Sequence, residues 1–180
     1  TTGSYTAVSN LVSNAGVVST DVTGVGTARG YFAACEYGGD KGIFGFGYTG
    51  SLQSMTNLVS NTGVVSSDVT GVGTARHSLA ACSYGYDKGI FGFGYDGSRV
   101  SMSNLVSNAG VVASDVTGVG TSRSDLAACE YGEDKGIFGF GWTGSEYAGM
   151  TNLVSNVGVV ADDVTAVGTA RYGLGGCSFN

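Results

Sequence analysis

Proline is absent from this 180-residue chain, histidine and tryptophan occur once each, and charged side chains make up only 12% of it. Each shortage excludes something. With His77 alone, a Ser-His-Asp triad or a histidine-rich metal site has little to draw on. Eight Lys and Arg against fourteen Asp and Glu, with no basic run and a formal net charge of −6, argue against nucleic acid or an anionic membrane as partner. No apolar stretch approaches the roughly 20 residues that a membrane helix needs, and no signal-peptide pattern opens the chain. It begins Thr1-Thr2-Gly3 without Met, which reads as a processed terminus or an excerpt. Gly-rich phosphate loops and Ca²⁺ loops have no signature here, so the sequence implies no cofactor.

What is abundant is glycine, 33 residues of it, placed at fixed points of an internal repeat. Cys35, Cys82, Cys129 and Cys177 lie 47, 47 and 48 residues apart, and Asp21, Asp68, Asp115 and Asp163 keep the same period, as do Arg29, Arg76, Arg123 and Arg171. Such a period marks units that cannot bury their own faces and must stack on neighbours. The chain divides as one repeat domain over 1–180, with units at about 1–25 (partial), 26–72, 73–119, 120–167 and 168–180 (partial).

In the central unit, Thr74 to Tyr84 reads as a first strand, the segment 85–89 as a tight turn, and Ile90 to Tyr95 as a second strand. Ser101 to Val106 makes a third strand, 107–110 a turn, and Val111 onward a fourth. Four short antiparallel strands per unit are a propeller blade. Strict alternation in the second strand puts Phe91, Phe93 and Tyr95 on one face and Ile90, Gly92 and Gly94 on the other, so the aromatic ridge of one blade is expected to fill the glycine groove of the next.

This order of parts resembles the kelch repeat, the type found in the central propeller of galactose oxidase: an Arg-led strand of small residues, a glycine-bounded aromatic strand, Asp-Gly or Thr-Gly, two more strands and a return to Arg. Two departures stand out. The family's paired glycines are split, as in Gly45-Phe46-Gly47, and its later Trp is replaced by Val17-Val18, Val64-Val65, Val111-Val112 and Val159-Val160. The wording of segments such as Thr56 to Val65 is also similar to repeats in predicted virus and phage structural or surface proteins. The resemblance implies an all-β, kelch-like propeller of four repeats. One blade would lack its second strand or have it completed by another chain, because Gly-Ile-Phe-Gly-Phe-Gly occurs three times and the other parts four. A window from a longer array, a larger ring with another copy, a four-bladed monomer and an open fibre all remain open.

The four cysteines, one per unit with no Cys-x-x-Cys, are expected as small core residues; the alternative is a ring of thiols lining a channel and binding a soft metal. Asp21, Arg29, Asp68, Arg76, Asp115, Arg123, Asp163 and Arg171 read as structural ion pairs that close the loops between blades, Asp68 with Arg76 and so on, within or between blades. The Asp-Lys pairs at 40–41, 87–88 and 134–135 read as solvated turns.

Variation between units falls mainly in two places: the residues after the repeated Arg and the loop between the second and third strands. Alternating strand direction puts both on one face, which makes Tyr31, His77, Arg99, Asp125, Glu146, Tyr147 and Tyr172 the candidate binding residues. The expected function is a non-catalytic structural or protein-interaction module on a virion or extracellular surface, partnered by other subunits or by itself. A lectin-like, glycan-binding propeller is the alternative, and no catalytic residue is assigned.

Overall fold

The computed structural model describes residues 4–178. The described residues are all β, with no helix. Nine strands form three antiparallel sheets, one per complete repeat. The first sheet is β1 (Ala33–Tyr37), β2 (Lys41–Gly45) and β3 (Thr56–Val59); the second is β4 (Ala80–Tyr84), β5 (Lys88–Gly92) and β6 (Ser103–Val106); the third is β7 (Ala127–Tyr131), β8 (Lys135–Trp142) and β9 (Tyr147–Val154). Each is a meander with its second strand in the middle, in matching register: Cys35 opposite Ile43, Cys82 opposite Ile90, Cys129 opposite Ile137.

The expected fourth strand does not form as a strand. The segment after each third strand touches it only at isolated bridges, Val106 with Val112 and Ser103 with Val116 in the middle repeat. Asn104 supplies the reason, because its side-chain amide donates to the Ala113 carbonyl at 3.0 Å and takes the place of a ladder bond. Asn57 and Asn152 do the same to Ser66 and Ala161. The sheets are therefore three-stranded with a ragged outer edge, where Val64, Val111 and Val159 stay exposed.

The sheets stack face to face in sequence order, packing most closely along β1, β4 and β7. One core layer holds Ala33, Tyr37, Ile43 and Phe46 against Leu79, Phe91 and Val106; the next repeats it with Ala80, Tyr84, Ile90 and Phe93 against Leu126, Phe138 and Val154. Ring-into-glycine packing is present: a methyl group at Gly45 would lie 2.6 Å from Cζ of Phe91, and one at Gly92 would lie 2.6 Å from Cζ of Phe138.

The alternation expected for Ile90 to Tyr95 breaks inside it. Phe93 sits at φ +62°, as do its counterparts Phe46 at +65° and Phe140 at +64°. A left-handed residue ends the strand at Gly92 and turns Phe93 to the opposite face from Phe91. Each repeat therefore offers one phenylalanine to each neighbour. Phe46 meets Phe91 edge-on at 5.2 Å and Phe93 meets Phe138 at 5.2 Å.

The third repeat carries one extra residue in its second loop. There β8 and β9 continue past a bulge at Gly139/Gly141 to pair Trp142 with Tyr147. The other two repeats reach only single bridges at that level, Tyr48 with Leu52 and Tyr95 with Arg99.

Candidate binding face

Each repeat is closed by a polar clasp. Arg76 donates through Nε to the Phe93 carbonyl at 2.8 Å, through one terminal nitrogen to Asn104 Oδ1 at 2.7 Å and through the other to the Thr74 carbonyl at 3.1 Å. Asn104 in turn donates to Asp115, and Asp115 accepts from the amide and hydroxyl of Thr74. Thr27, Arg29, Asn57 and Asp68 form the same set, as do Thr121, Arg123, Asn152 and Asp163. Gly73, at φ +82°, passes so close to the Asp115 carboxylate that a Cβ there would collide with it.

The ion pairs thus run from the start of a repeat to its end, Arg29 to Asp68 at 3.8 Å, Arg76 to Asp115 at 3.9 Å and Arg123 to Asp163 at 3.7 Å. Asp68 with Arg76, the pair expected across the connecting loop, does not occur. The chain must travel through all three strands before Asp meets Arg, so closeness in sequence misled. Among the described residues no ion pair joins Asp21 or Arg171. Asp21 accepts from Asn10, and Arg171 donates to the Thr169 carbonyl and lies over the Phe140 ring.

Arg76 and Arg123 are completely buried. Burial lowers the Arg76 pKa to about 10 against the pull of Asp115, which still leaves a cation at neutral pH. Desolvation works to raise the Asp115 pKa, yet hydrogen bonds from Thr74 and Asn104 and the charge of Arg76 outweigh it, so the carboxyl titrates below its usual range.

The four cysteines line one shallow groove of about 290 Å³ along the first strands, with Glu36, Ser83 and Glu130 at its mouth. All four are free thiols. Two of the sulfurs turn into the stack, Cys35 Sγ over Gly89 and Cys82 Sγ over Gly136, each 2.6 Å from where a Cβ would stand, whereas Cys129 is half-buried and Cys177 exposed. The expectation of four core cysteines therefore does not hold for Cys177, which has no further repeat stacked on it among the described residues. Desolvation pushes the Cys35 pKa up to about 12. Among the described residues no three His, Cys, Asp or Glu side chains converge on a point that could hold a metal ion.

The hairpin-turn aspartates are more engaged than solvated turns would be. Asp40, Asp87 and Asp134 each pair with the following lysine and accept from Asn61, Asn108 and Asn156 of the next turn in the same repeat.

At the opposite end the variable residues come together. Tyr31 lies 5.7 Å from His77 between ring centroids, and Tyr147 stacks on Tyr172 at 5.0 Å with 16° between planes. Arg99 lies over the Tyr95 ring and its guanidinium reaches Gly144 of the next repeat, with its Nε buried and unpaired. Asp125 is held by the Ser124 hydroxyl and bears electrostatically on His77. Glu146 caps the turn that carries Tyr147, its carbonyl accepting from the Thr143 amide. Tyr31 is 63% exposed, Tyr147 53% and Tyr172 53%.

Residues outside the sequence's set of binding candidates complete this face, among them Tyr95, which was expected on the ridge with Phe91 and Phe93 and packs on His77 instead. Tyr48, Tyr95 and Trp142 occupy one position in each repeat, and Tyr5 precedes them. Tyr5 contacts Tyr31 and Tyr48; His77 sits between Tyr48 and Tyr95 at 5.5 and 5.4 Å; Trp142 contacts Tyr147 and Tyr172. A search for variation passes over them because they repeat. The usable signal was an aromatic following Gly-Phe-Gly in all three copies.

Much of the backbone beneath is engaged. Gly30 with Tyr48, His77 with Tyr95 and Ser124 with Trp142 exchange paired hydrogen bonds. Ser78 donates to Tyr31, Asp125 to Ser78 and Gly173 to Asp125, tying each repeat to the one before. Tyr31, Ser78 and Asp125 adopt φ of +56°, +53° and +55° to do so. A tyrosine held left-handed is a local cost met by its surroundings.

No protein-family model and no curated protein sequence matches this chain.

Proposed function

We propose that this chain is a non-catalytic interaction module in which an invariant interior holds up a variable recognition face. One observation carries the proposal. The three complete repeats close with the same Thr, Arg, Asn and Asp, and rings fill glycines at both boundaries between their sheets, whereas several of the residues that differ between repeats meet at one end across repeat boundaries, Tyr31 with His77 and Tyr147 with Tyr172. His77 supports a non-catalytic role: burial holds its imidazole below the usual pKa range, and it packs among Tyr31, Tyr48 and Tyr95 as another aromatic ring.

The kelch-like propeller belongs to the same proposal. What supports it is that the sheets stack in sequence order and pack most closely along their first strands, as blades around an axis do; further repeats of the same kind would extend such an arrangement toward a ring. An extracellular or virion surface suits a rigid module of this kind.

The test is to probe glycan and peptide arrays with the purified chain and with a variant carrying Tyr31→Ala, His77→Ala, Tyr147→Ala and Tyr172→Ala. Selective binding by the parent alone supports the module. Silence on both arrays, or equal binding by a folded variant, overturns it. Electron microscopy of the same sample tests the propeller, which a straight filament of stacked sheets would sink.

A further inference from the structure

We infer that the aromatic face is a binding strip for a neutral, linear oligosaccharide lying along the direction in which the repeats stack; this rests on the recognition face proposed above. The strip is periodic. Tyr48, Tyr95 and Trp142 recur once per repeat. Contacts chain Tyr48 to His77 to Tyr95, and Trp142 to Tyr172. Arg99 spans the interval between the two groups, lying 5.3 Å from the Tyr95 ring centre and against Gly144 beside Trp142. A surface that presents the same element at each step matches a ligand that does so too.

The chemistry narrows the ligand. A pyranose offers a face of C–H bonds to an aromatic ring and a rim of hydroxyls that both donate and accept. This face supplies rings with polar edges, carboxylates at Asp125 and Glu146 as acceptors, and the half-buried Arg99 beside the Tyr95 ring as a donor. An extended peptide recognised through its backbone needs free amides and carbonyls at a sheet edge. Here those groups are consumed by the paired bonds of Gly30 with Tyr48, His77 with Tyr95 and Ser124 with Trp142, and by the ladder from Tyr31 to Gly173. Recognition must therefore come from side chains. An anionic polymer would meet Asp125, Glu146 and a net charge of −6.

Trp142, the sole tryptophan, reports occupancy directly. The experiment titrates the full chain with neutral β-glucan, mannan and xylan oligomers of increasing length, following Trp142 fluorescence and isothermal calorimetry, with heparin fragments as the anionic comparison. The expected result is saturable binding to one neutral series that tightens at least about tenfold once the oligomer spans both aromatic groups. Tyr172→Ala and Tyr48→Ala should each weaken it about tenfold, while Tyr86→Ala, at the hairpin end, should leave it unchanged. Circular dichroism of each variant separates lost binding from lost folding, and the length dependence needs no variant. Binding to none of the neutral series, affinity independent of length, a preference for heparin, or equal affinity in folded strip variants would overturn the inference. Peptide-array binding that the loop-face variant loses would also overturn it while leaving the interaction module standing.

Discussion

The guanidinium of Arg76 lies 4.2 Å from the centre of the Phe46 ring, which belongs to the preceding repeat, and Arg123 stands in the same relation to Phe93. One residue thus closes its own repeat through Asn104 and Asp115 and presses on the repeat before it. Clasp and stack are coupled through a buried cation.

That coupling predicts an asymmetry along the chain. Asn104→Ala leaves the fully buried Arg76 short of an acceptor and should destabilise the protein by about 3 kcal/mol or more. Arg171→Ala, on an exposed arginine whose interactions are the Thr169 carbonyl and the Phe140 ring, should cost less than about 1 kcal/mol. Urea denaturation of both variants measures the difference, and equal losses would show that the clasp is not what holds the repeats.

The ring-into-glycine contact predicts a compensating pair. Gly92→Ala forces a methyl against the Phe138 ring and should cost about 1–3 kcal/mol, and Phe138→Ala about 3–5 kcal/mol through the cavity it opens. In the double variant the losses should sum to less than the two alone, since the new methyl then has room. A thermodynamic double-mutant cycle gives the coupling energy, and strict additivity would place the two residues out of contact.

Thiol chemistry should follow depth in the stack. Exposed Cys177 should react first with a disulfide reagent, half-buried Cys129 more slowly, and Cys35 and Cys82, whose sulfurs pack over Gly89 and Gly136, slowest of all. The same burial sets an alkaline limit. Cys35 ionises near its ordinary 9.0 in the unfolded chain and near 12 when folded, so its contribution is intact below pH 9 and is lost as pH rises above that value. Melting temperature should fall above pH 9, and Cys35→Ala should reduce the slope.

At the acid end the sign reverses. The clasp carboxyls of Asp68, Asp115 and Asp163 titrate below their ordinary 3.8 when folded. Their stabilisation is present above that value and is lost as pH falls through the depressed folded pKa. Acid unfolding should therefore begin below pH 4 and be shallower in Asp115→Asn, as read by far-ultraviolet circular dichroism across a pH series.

Much of this protein is written in its period. Repetition of Cys, Asp and Arg at fixed spacing was enough to mark stacked β units, and Gly-Phe-Gly was enough to mark rings packed against glycine, because both are local patterns that any stacked unit must repeat. Strand direction alone led to the expectation that Tyr31, His77, Tyr147 and Tyr172 share one face, but not to which of them touch.

Other features were decided only in three dimensions. Which arginine meets Asp68 depends on a path through three strands, and nothing local distinguishes Arg29 from Arg76. Phe93 reverses the strand's facing because it adopts a left-handed φ, which composition does not announce for a phenylalanine between glycines. Asn104, a polar residue in an otherwise strand-like segment, replaces the fourth strand by bonding across to Ala113. Tyr48, Tyr95 and Trp142 gained meaning only when the loop residues of neighbouring repeats came to rest against them. Period determined that these units stack, and the burial of one arginine and one phenylalanine at each boundary decided how.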